Sequence, residues 1–386
     1  QRFASSLSFI QANFPMSQTS IIEIQDFSLW DKTRHSRSLH SFDLELTARC
    51  NNNCRHCYIN LPASDPQARA EELSPSEIST IADQAVELGA LWCLLTGGEP
   101  LLRPDFAEIY MLLKRKGLLI SVFTNATLIR PEHITLFRQY PPRDIEITVY
   151  GASQTTYERV SRVPGSFAAF TRGLDALIAA GIRVRLKAMA LRSNLDELGA
   201  IAAFCRTRTK DYYRFDPQLH LRYDRDPYRN VEIESERLTP AEIVVLESTD
   251  PERMGALRAS CDSLINPDFG HQNSNRLFRC GAGSGSFTVG FDGTFRLCAS
   301  LCAPDATINL RTTSLRTAWE NFVPRVRSMR STNPEFLSTC NQCAIVNLCL
   351  HCPAHAYLET GAMDGATPYF CQVAHARQAA LESDAQ

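Results

Sequence analysis

The sequence predicts an α/β fold: a partial (β/α)6 TIM-like barrel followed by a loop-rich, metal-stapled C-terminal region. Three observations lead there. Short β-rich runs alternate with amphipathic segments at a regular pitch between residues 42 and 216. Three of those segments end at Gly89, Gly117 and Gly181, where a helix C-terminus favours a left-handed residue. And the 14 cysteines are bunched, with Cys50, Cys54 and Cys57 in one group and eight more from Cys280 onward.

In chain order, residues 1–41 hold one candidate strand at 21–24 and no core of their own. The barrel, residues 42–240, has strand candidates at 42–47, 91–95, 118–124, 144–150, 184–190 and 212–216. Helical segments are expected at 76–88, 104–116, 131–139, 167–180 and 195–207; the first is announced by Ser74-Pro75 with Glu77, an N-terminal capping signature. Strand followed by helix, repeated, implies parallel strands joined by crossover helices, with chemistry where the strands end. Residues 222–236 read as a charged, irregular stretch and 240–246 as helical, opening a connector over 241–279. From 280 to 386 the chain reads as Gly, Cys and Pro-rich loops with one hairpin, 286–297, turning at Asp292-Gly293.

Composition narrows the class without naming a function. At 386 residues, 44% hydrophobic, 21% charged and a net charge of -2, the chain fits a globular protein, neither disordered nor held to nucleic acid by a broad basic field. No run approaches the ~20 apolar residues that cross a bilayer, and residues 1–20 lack a secretory signal pattern. A cytoplasmic, reducing location is expected, with no membrane or nucleic-acid partner. A long chain can bury a core without disulfides, so clustered thiols two or three residues apart read as metal ligands.

Cys50, Cys54 and Cys57 follow the first strand with spacing C-x3-C-x2-C. A structural zinc wants four ligands in a closed tetrahedron; His56 is the available fourth, but it sits directly beside Cys57. Three thiolates on a four-iron cluster instead leave one iron open, a catalytic arrangement. The loop Cys50-Asn51-Asn52-Asn53-Cys54-Arg55-His56-Cys57 resembles the cluster-binding loop of the radical S-adenosylmethionine (SAM) superfamily, and Thr96-Gly97-Gly98-Glu99-Pro100 resembles that family's second motif. The resemblance implies a 4Fe-4S cluster on the three cysteines, SAM chelated at its open iron, and reductive cleavage to a 5'-deoxyadenosyl radical. It assigns Gly97, Gly98 and Glu99 to the SAM amino group and lays His56, where the family often has Tyr or Phe, near the adenine. Thr124-Asn125-Ala126-Thr127 is similar to a Thr-Asn-Gly-Thr segment of related enzymes, which makes Asn125 a SAM or substrate contact or a turn cap. Thr148, Arg159 and Lys187 are candidates for the SAM ribose and carboxylate, or else strand-end and surface residues.

Cys280, then Gly293 through Cys298, then Cys340-x2-Cys343-x5-Cys349-x2-Cys352 and Cys371 resemble the SPASM extension of radical SAM enzymes that modify peptides. Where the family commonly has three residues in the last gap, this chain has two, Leu350 and His351. The resemblance implies two auxiliary iron-sulfur clusters, one on Cys340, Cys343, Cys349 and Cys371 and a nearer one on Cys280, Cys298 and Cys352. Cys302 is a fourth ligand for the nearer cluster, or the site stays open, or Cys302 does not coordinate. A zinc ribbon on the two close pairs would strand Cys280, Cys298 and Cys371. Cys93, Cys205 and Cys261 read as packing residues.

The function so implied is an oxidoreductase-type enzyme that crosslinks a ribosomally made precursor peptide through a thioether, ether or carbon-carbon bond. Alternatives are a sulfatase-type maturase making formylglycine, a radical SAM enzyme acting on a small molecule or porphyrin, and, in a different class, a zinc-binding interaction module. The resemblance also implies a flavodoxin or ferredoxin reductant. Because 41 N-terminal residues are too few for a ~90-residue recognition domain, the peptide leader is expected to be bound by a separate recognition protein or by the N-terminal strand through β-augmentation.

Overall fold

Six parallel strands, arranged across the sheet in chain order, build the partial barrel: β1 (Ser41–Glu45), β2 (Trp92–Thr96), β3 (Leu119–Thr124), β4 (Asp144–Thr148), β5 (Val184–Met189) and β6 (Arg214–Asp216). The structure is a computed structural model that describes residues 38–259, 275–349 and 351–383; the unit discussed begins at Leu39. The candidate strand 21–24 and Cys261 lie outside the described residues.

Side-chain alternation along each strand sets the two faces of the wall. Leu95, Val122, Ile147 and Leu186 are buried in the main core. Their neighbours Leu94, Phe123, Glu146 and Lys187 line the cavity on the other face. The principal helices of the barrel are α1 (Pro75–Glu87), α2 (Phe106–Arg115), α3 (Pro131–Gln139), α4 (Gln154–Ser161), α5 (Ser166–Ala179) and α6 (Leu198–Arg208). In α1 the Ser74 side chain accepts from the Glu77 N–H while the Glu77 carboxylate accepts from the Ser74 N–H, a complete capping box. Its buried residues Ile78, Ile81, Ala82 and Ala85 fall at i, i+3, i+4 and i+7, the stripe that packs a helix on a sheet.

Two segments differ from the sequence expectation. Residues 222–236, expected to be irregular, contain the helix α7 (Pro227–Glu236), started by Asp226, whose carboxylate accepts from the Tyr228 and Arg229 N–H groups. Its buried residues are only Ile233 and Glu236, so the hydrophobic period that betrays a helix is missing. The C-terminal region, expected to be loops, also carries α8 (Pro353–Thr360) and α9 (Pro368–Ser383).

The hairpin of the C-terminal region continues the barrel wall. Its strand β7 (Ser286–Val289) pairs in parallel with β1, matching Phe42 with Phe287 and Asp43 with Thr288. β8 (Thr294–Arg296) and β9 (Thr307–Asn309) extend the sheet antiparallel. Phe42 and Phe287 stack at 5.5 Å, and Arg296 forms an ion pair with Glu45 in which both side chains are almost fully buried. The sheet thus runs unbroken from the barrel into the cysteine-rich region, which brings Thr288, Ala299 and His355 to the same cavity as the barrel residues.

Candidate functional site

A cavity of about 610 Å³ opens at the strand ends, and Cys50, Cys54 and Cys57 line it together with Gly97, Gly98 and Asn125. The cysteine loop leaves β1 and returns through a short parallel pairing of Arg49–Cys50 with Leu61–Pro62. Arginines from far along the chain fix its shape. Arg222 donates to the Asn60 carbonyl and side chain at 3.1 Å each, and Arg229 donates to the Cys54 carbonyl at 3.0 Å. Burial pushes the Cys50 thiol well up, with Glu99, Cys54 and Cys57 adding to it. Burial likewise pushes Cys54 up to about 12, opposed by a hydrogen bond from Tyr150. Thiols held in this way ionise when a cation arrives beside them, because metal ligation needs the thiolate.

The glycine loop lies against the cysteine loop's root. A Cβ on Gly97, at φ +128°, would lie 2.2 Å from the Thr47 carbonyl oxygen, and one on Gly98 would lie 2.3 Å from that of Arg49. Only glycine allows this approach. Gly98 N–H donates to Thr47 at 2.6 Å and Glu99 N–H to Arg49 at 2.9 Å, so the two loops are one unit. The Glu99 side chain is fully buried and accepts from the Thr124 hydroxyl and the Asn125 N–H at 2.7 Å each and the Leu101 N–H at 3.1 Å. Burial raises its carboxyl to about 7 despite these bonds.

Asn125 links the third strand to the cysteine loop: its amide donates to Asn51 at 3.0 Å and approaches Cys50 Sγ at 3.8 Å. Next to it, Ala126 adopts a left-handed φ of 62°, the conformation for which the related segment uses glycine. His56 lines the cavity 5.2 Å from the Tyr150 ring, with burial holding its imidazole down at about 4. Thr148 and Lys187 also line it, Lys187 paired with Glu146 at 2.8 Å. Arg159 is not among the lining residues; its guanidinium donates to Thr156 at 3.1 Å. Tyr150, Arg222, Arg229 and Asn52 were not singled out by sequence. Asn52 lines the cavity, is 4% exposed, and both polar atoms of its side chain lack partners, as do His56 Nδ1 and the Tyr157 hydroxyl.

The C-terminal thiols fall into two neighbourhoods. Burial pushes Cys349 up to about 12, with Cys371, Cys340, Cys343 and Cys352 reinforcing it in that order. Burial pushes Cys352 up to about 11, with Cys298 and Cys280 adding to it. Cys302 stands apart: its charged neighbours are Arg296, Arg225 and Asp224, and it packs against the cluster of Val160, Leu191, Leu219 and Leu358. Cys93 and Cys205 are buried in the main core.

Among the described residues no three His, Cys, Asp or Glu side chains converge on a single-ion site. A four-iron cluster makes a different demand, since each thiolate takes its own iron. Three cavity-lining thiols, with the unpartnered Asn52, His56 and Tyr157 atoms buried nearby, fit such a cluster, which Cys50, Cys54 and Cys57 would hold.

Residues 44–205 match the Radical SAM superfamily. Over 340 residues the chain is 28% identical to an AdoMet-dependent heme synthase of Methanosarcina barkeri, covering 84% of this chain and 94% of that protein. It is 31% identical over 159 residues to the antilisterial bacteriocin subtilosin biosynthesis protein AlbA of Bacillus subtilis, 41% of this chain and 35% of that one. Its fold is similar to that of Streptococcus suis SuiB bound to precursor peptide SuiA, with TM-score 0.66 at 14% identity over 95% of this chain and 86% of that one. No helix among the described residues is long and apolar enough to cross a membrane. Residues 44–205 therefore form a domain of the radical SAM superfamily, whose members work with S-adenosylmethionine and a 4Fe-4S cluster.

Proposed function

We propose that this chain is a radical SAM peptide maturase that installs a thioether, ether or carbon-carbon crosslink on a ribosomally made precursor peptide. The observation that supports the reading is that Ala299 and His355 of the cysteine-rich C-terminal region line the same cavity as Cys50, Cys54 and Cys57. When bound, the cluster on Cys50, Cys54 and Cys57 supplies one electron that splits SAM into methionine and a 5'-deoxyadenosyl radical. The chain's own residues then do the positioning. Gly97 and Gly98 bring backbone up to the ligand, Glu99 and Asn125 brace that loop, and Thr148 and Lys187 line the cavity from the neighbouring strands. In the crosslink one substrate hydrogen would leave with deoxyadenosine and the second as a proton plus an electron, for which an auxiliary cluster would supply the one-electron acceptor. Cys340, Cys343, Cys349 and Cys371 would hold one auxiliary cluster, and Cys280, Cys298 and Cys352 the other.

Support for a peptide substrate comes from the partial match to AlbA and the fold likeness to SuiB. A separate leader-recognition protein and a flavodoxin or ferredoxin complete the proposed system in the cytoplasm. A specific observation favours a second reading, a porphyrin or other small-molecule substrate: the heme synthase match spans 94% of that enzyme, whereas the AlbA match spans 35%. Mass spectrometry after anaerobic turnover separates them. Loss of two hydrogens from a candidate peptide, with deoxyadenosine formed, supports the maturase reading; turnover of a metalloporphyrin and none of any peptide encoded beside this gene overturns it.

A further inference from the structure

Just beyond the end of β3, Asn125 and Thr127 close a ring of hydrogen bonds with Asn51 of the cysteine loop. The Thr127 N–H can only donate, so the Asn125 atom that meets it at 2.9 Å is the side-chain oxygen. The Thr127 hydroxyl donates to that same oxygen at 2.6 Å. With its proton spent there, the hydroxyl oxygen accepts from the Asn51 amide nitrogen at 2.7 Å, which leaves the Asn51 oxygen to accept from the Asn125 amide nitrogen at 3.0 Å. Every polar atom of the ring has its role fixed. Asn125 is left with one N–H that the ring does not use, and Cys50 Sγ lies 3.8 Å from that nitrogen. The same sulfur accepts from the Asn52 backbone N–H at 3.3 Å. A turn cap uses only the oxygen of an asparagine. Here the nitrogen is directed as firmly as the oxygen, and it is directed at a cluster ligand.

We propose that Asn125 acts through Cys50 as a positioning residue for reduction of the cluster at the SAM site: its amide N–H, aimed by the ring with Asn51 and Thr127, donates to the Cys50 thiolate and raises the cluster's reduction potential. This rests on the reading that Cys50, Cys54 and Cys57 hold the 4Fe-4S cluster, and it needs neither the auxiliary clusters nor a particular substrate. One added electron makes the ligand sulfurs more negative, so a donor held against one of them favours the reduced state. A contact to SAM would leave the potential measured without SAM unchanged.

The test uses the full chain, purified anaerobically with its clusters in place and without SAM, in redox titrations followed by electron paramagnetic resonance. The first cluster is identified as the signal that Cys54→Ala lacks. Asn125→Ser keeps an oxygen that can cap the turn and Asn125→Leu keeps the approximate volume; neither carries the amide N–H. In both, the ratio of reduced to oxidised first cluster at a fixed applied potential should fall about tenfold, a downward shift of about 59 mV for a one-electron couple. Where Asn125→Leu fails to fold, Asn125→Ser carries the test. A wild-type midpoint in Asn125→Ser overturns the proposal, and a fall in SAM affinity beside it assigns the amide to SAM instead. Loss of first-cluster iron from Asn125→Ser also overturns it, since the residue is then a brace for the loop alone. A wild-type protein whose iron content and signals equal those of Cys54→Ala overturns the cluster reading itself, a failure seen before any Asn125 variant is made.

Discussion

Gly98→Ala tests the claim that the glycine loop and the cysteine loop are one unit. The added Cβ would meet the Arg49 carbonyl oxygen at 2.3 Å, that of Ala48 at 2.6 Å and the Arg49 carbonyl carbon at 2.7 Å. All three are backbone atoms, so no flexible side chain can give way, and the loops must part by about 1 Å to reach ordinary contact. That movement strains the Gly98 N–H bond to Thr47 at 2.6 Å and the Glu99 N–H bond to Arg49 at 2.9 Å. Overpacking costs about 1–3 kcal/mol and each weakened hydrogen bond up to about 1 kcal/mol, so a loss of about 3 kcal/mol is expected. Because Arg49 precedes Cys50, iron retention and SAM affinity should fall with stability. Denaturant unfolding, iron analysis and SAM titration read the three effects. An alanine variant within about 1 kcal/mol of wild type, with normal iron and SAM binding, would refute the argument.

Other perturbations follow from the same contacts. Burial raises the Glu99 carboxyl from 4.5 to about 7, so the native state holds a proton that the unfolded state releases across that window. Without SAM, the difference in unfolding stability between wild type and Glu99→Gln should therefore shift by about 3 kcal/mol against the wild type as pH rises from 4.5 to 7, the opposing contribution of the buried His56 being common to both. Glu45→Gln leaves the nearly fully buried Arg296 without its counter-charge and should cost about 3–5 kcal/mol in urea unfolding; the paired change Glu45→Leu with Arg296→Met should cost less. Cys302→Ala should keep the full iron complement, since Cys302 packs on aliphatic side chains, whereas Cys298→Ala should lose about four irons.

What sequence revealed about this molecule was whatever depends on near neighbours. The barrel strands were legible because their outward residues, such as Leu95, Val122 and Ile147, must be apolar to lie under helices. The cysteine and glycine loops were legible because ligand spacing and close backbone approach are local demands. The run Asn51-Asn52-Asn53 marks the boundary of that legibility: three identical residues with three fates. Asn51 bonds Thr127 at 2.7 Å and Asn53 is exposed, while Asn52 is buried on the cavity without a partner. Contacts 76 residues away separate the first from the third, and no pattern within the run does so. Arg159 illustrates the converse, a residue inside a motif-like stretch whose helix turns it toward Thr156. Arg229 was missed because α7 has almost no apolar face, yet it reaches the Cys54 carbonyl from 175 residues away. The shape of the cysteine loop is thus written in two places, its cysteines in the loop and its arginine braces beyond β6. Arg229→Met should loosen that loop even though every cysteine and glycine of the two motifs is retained.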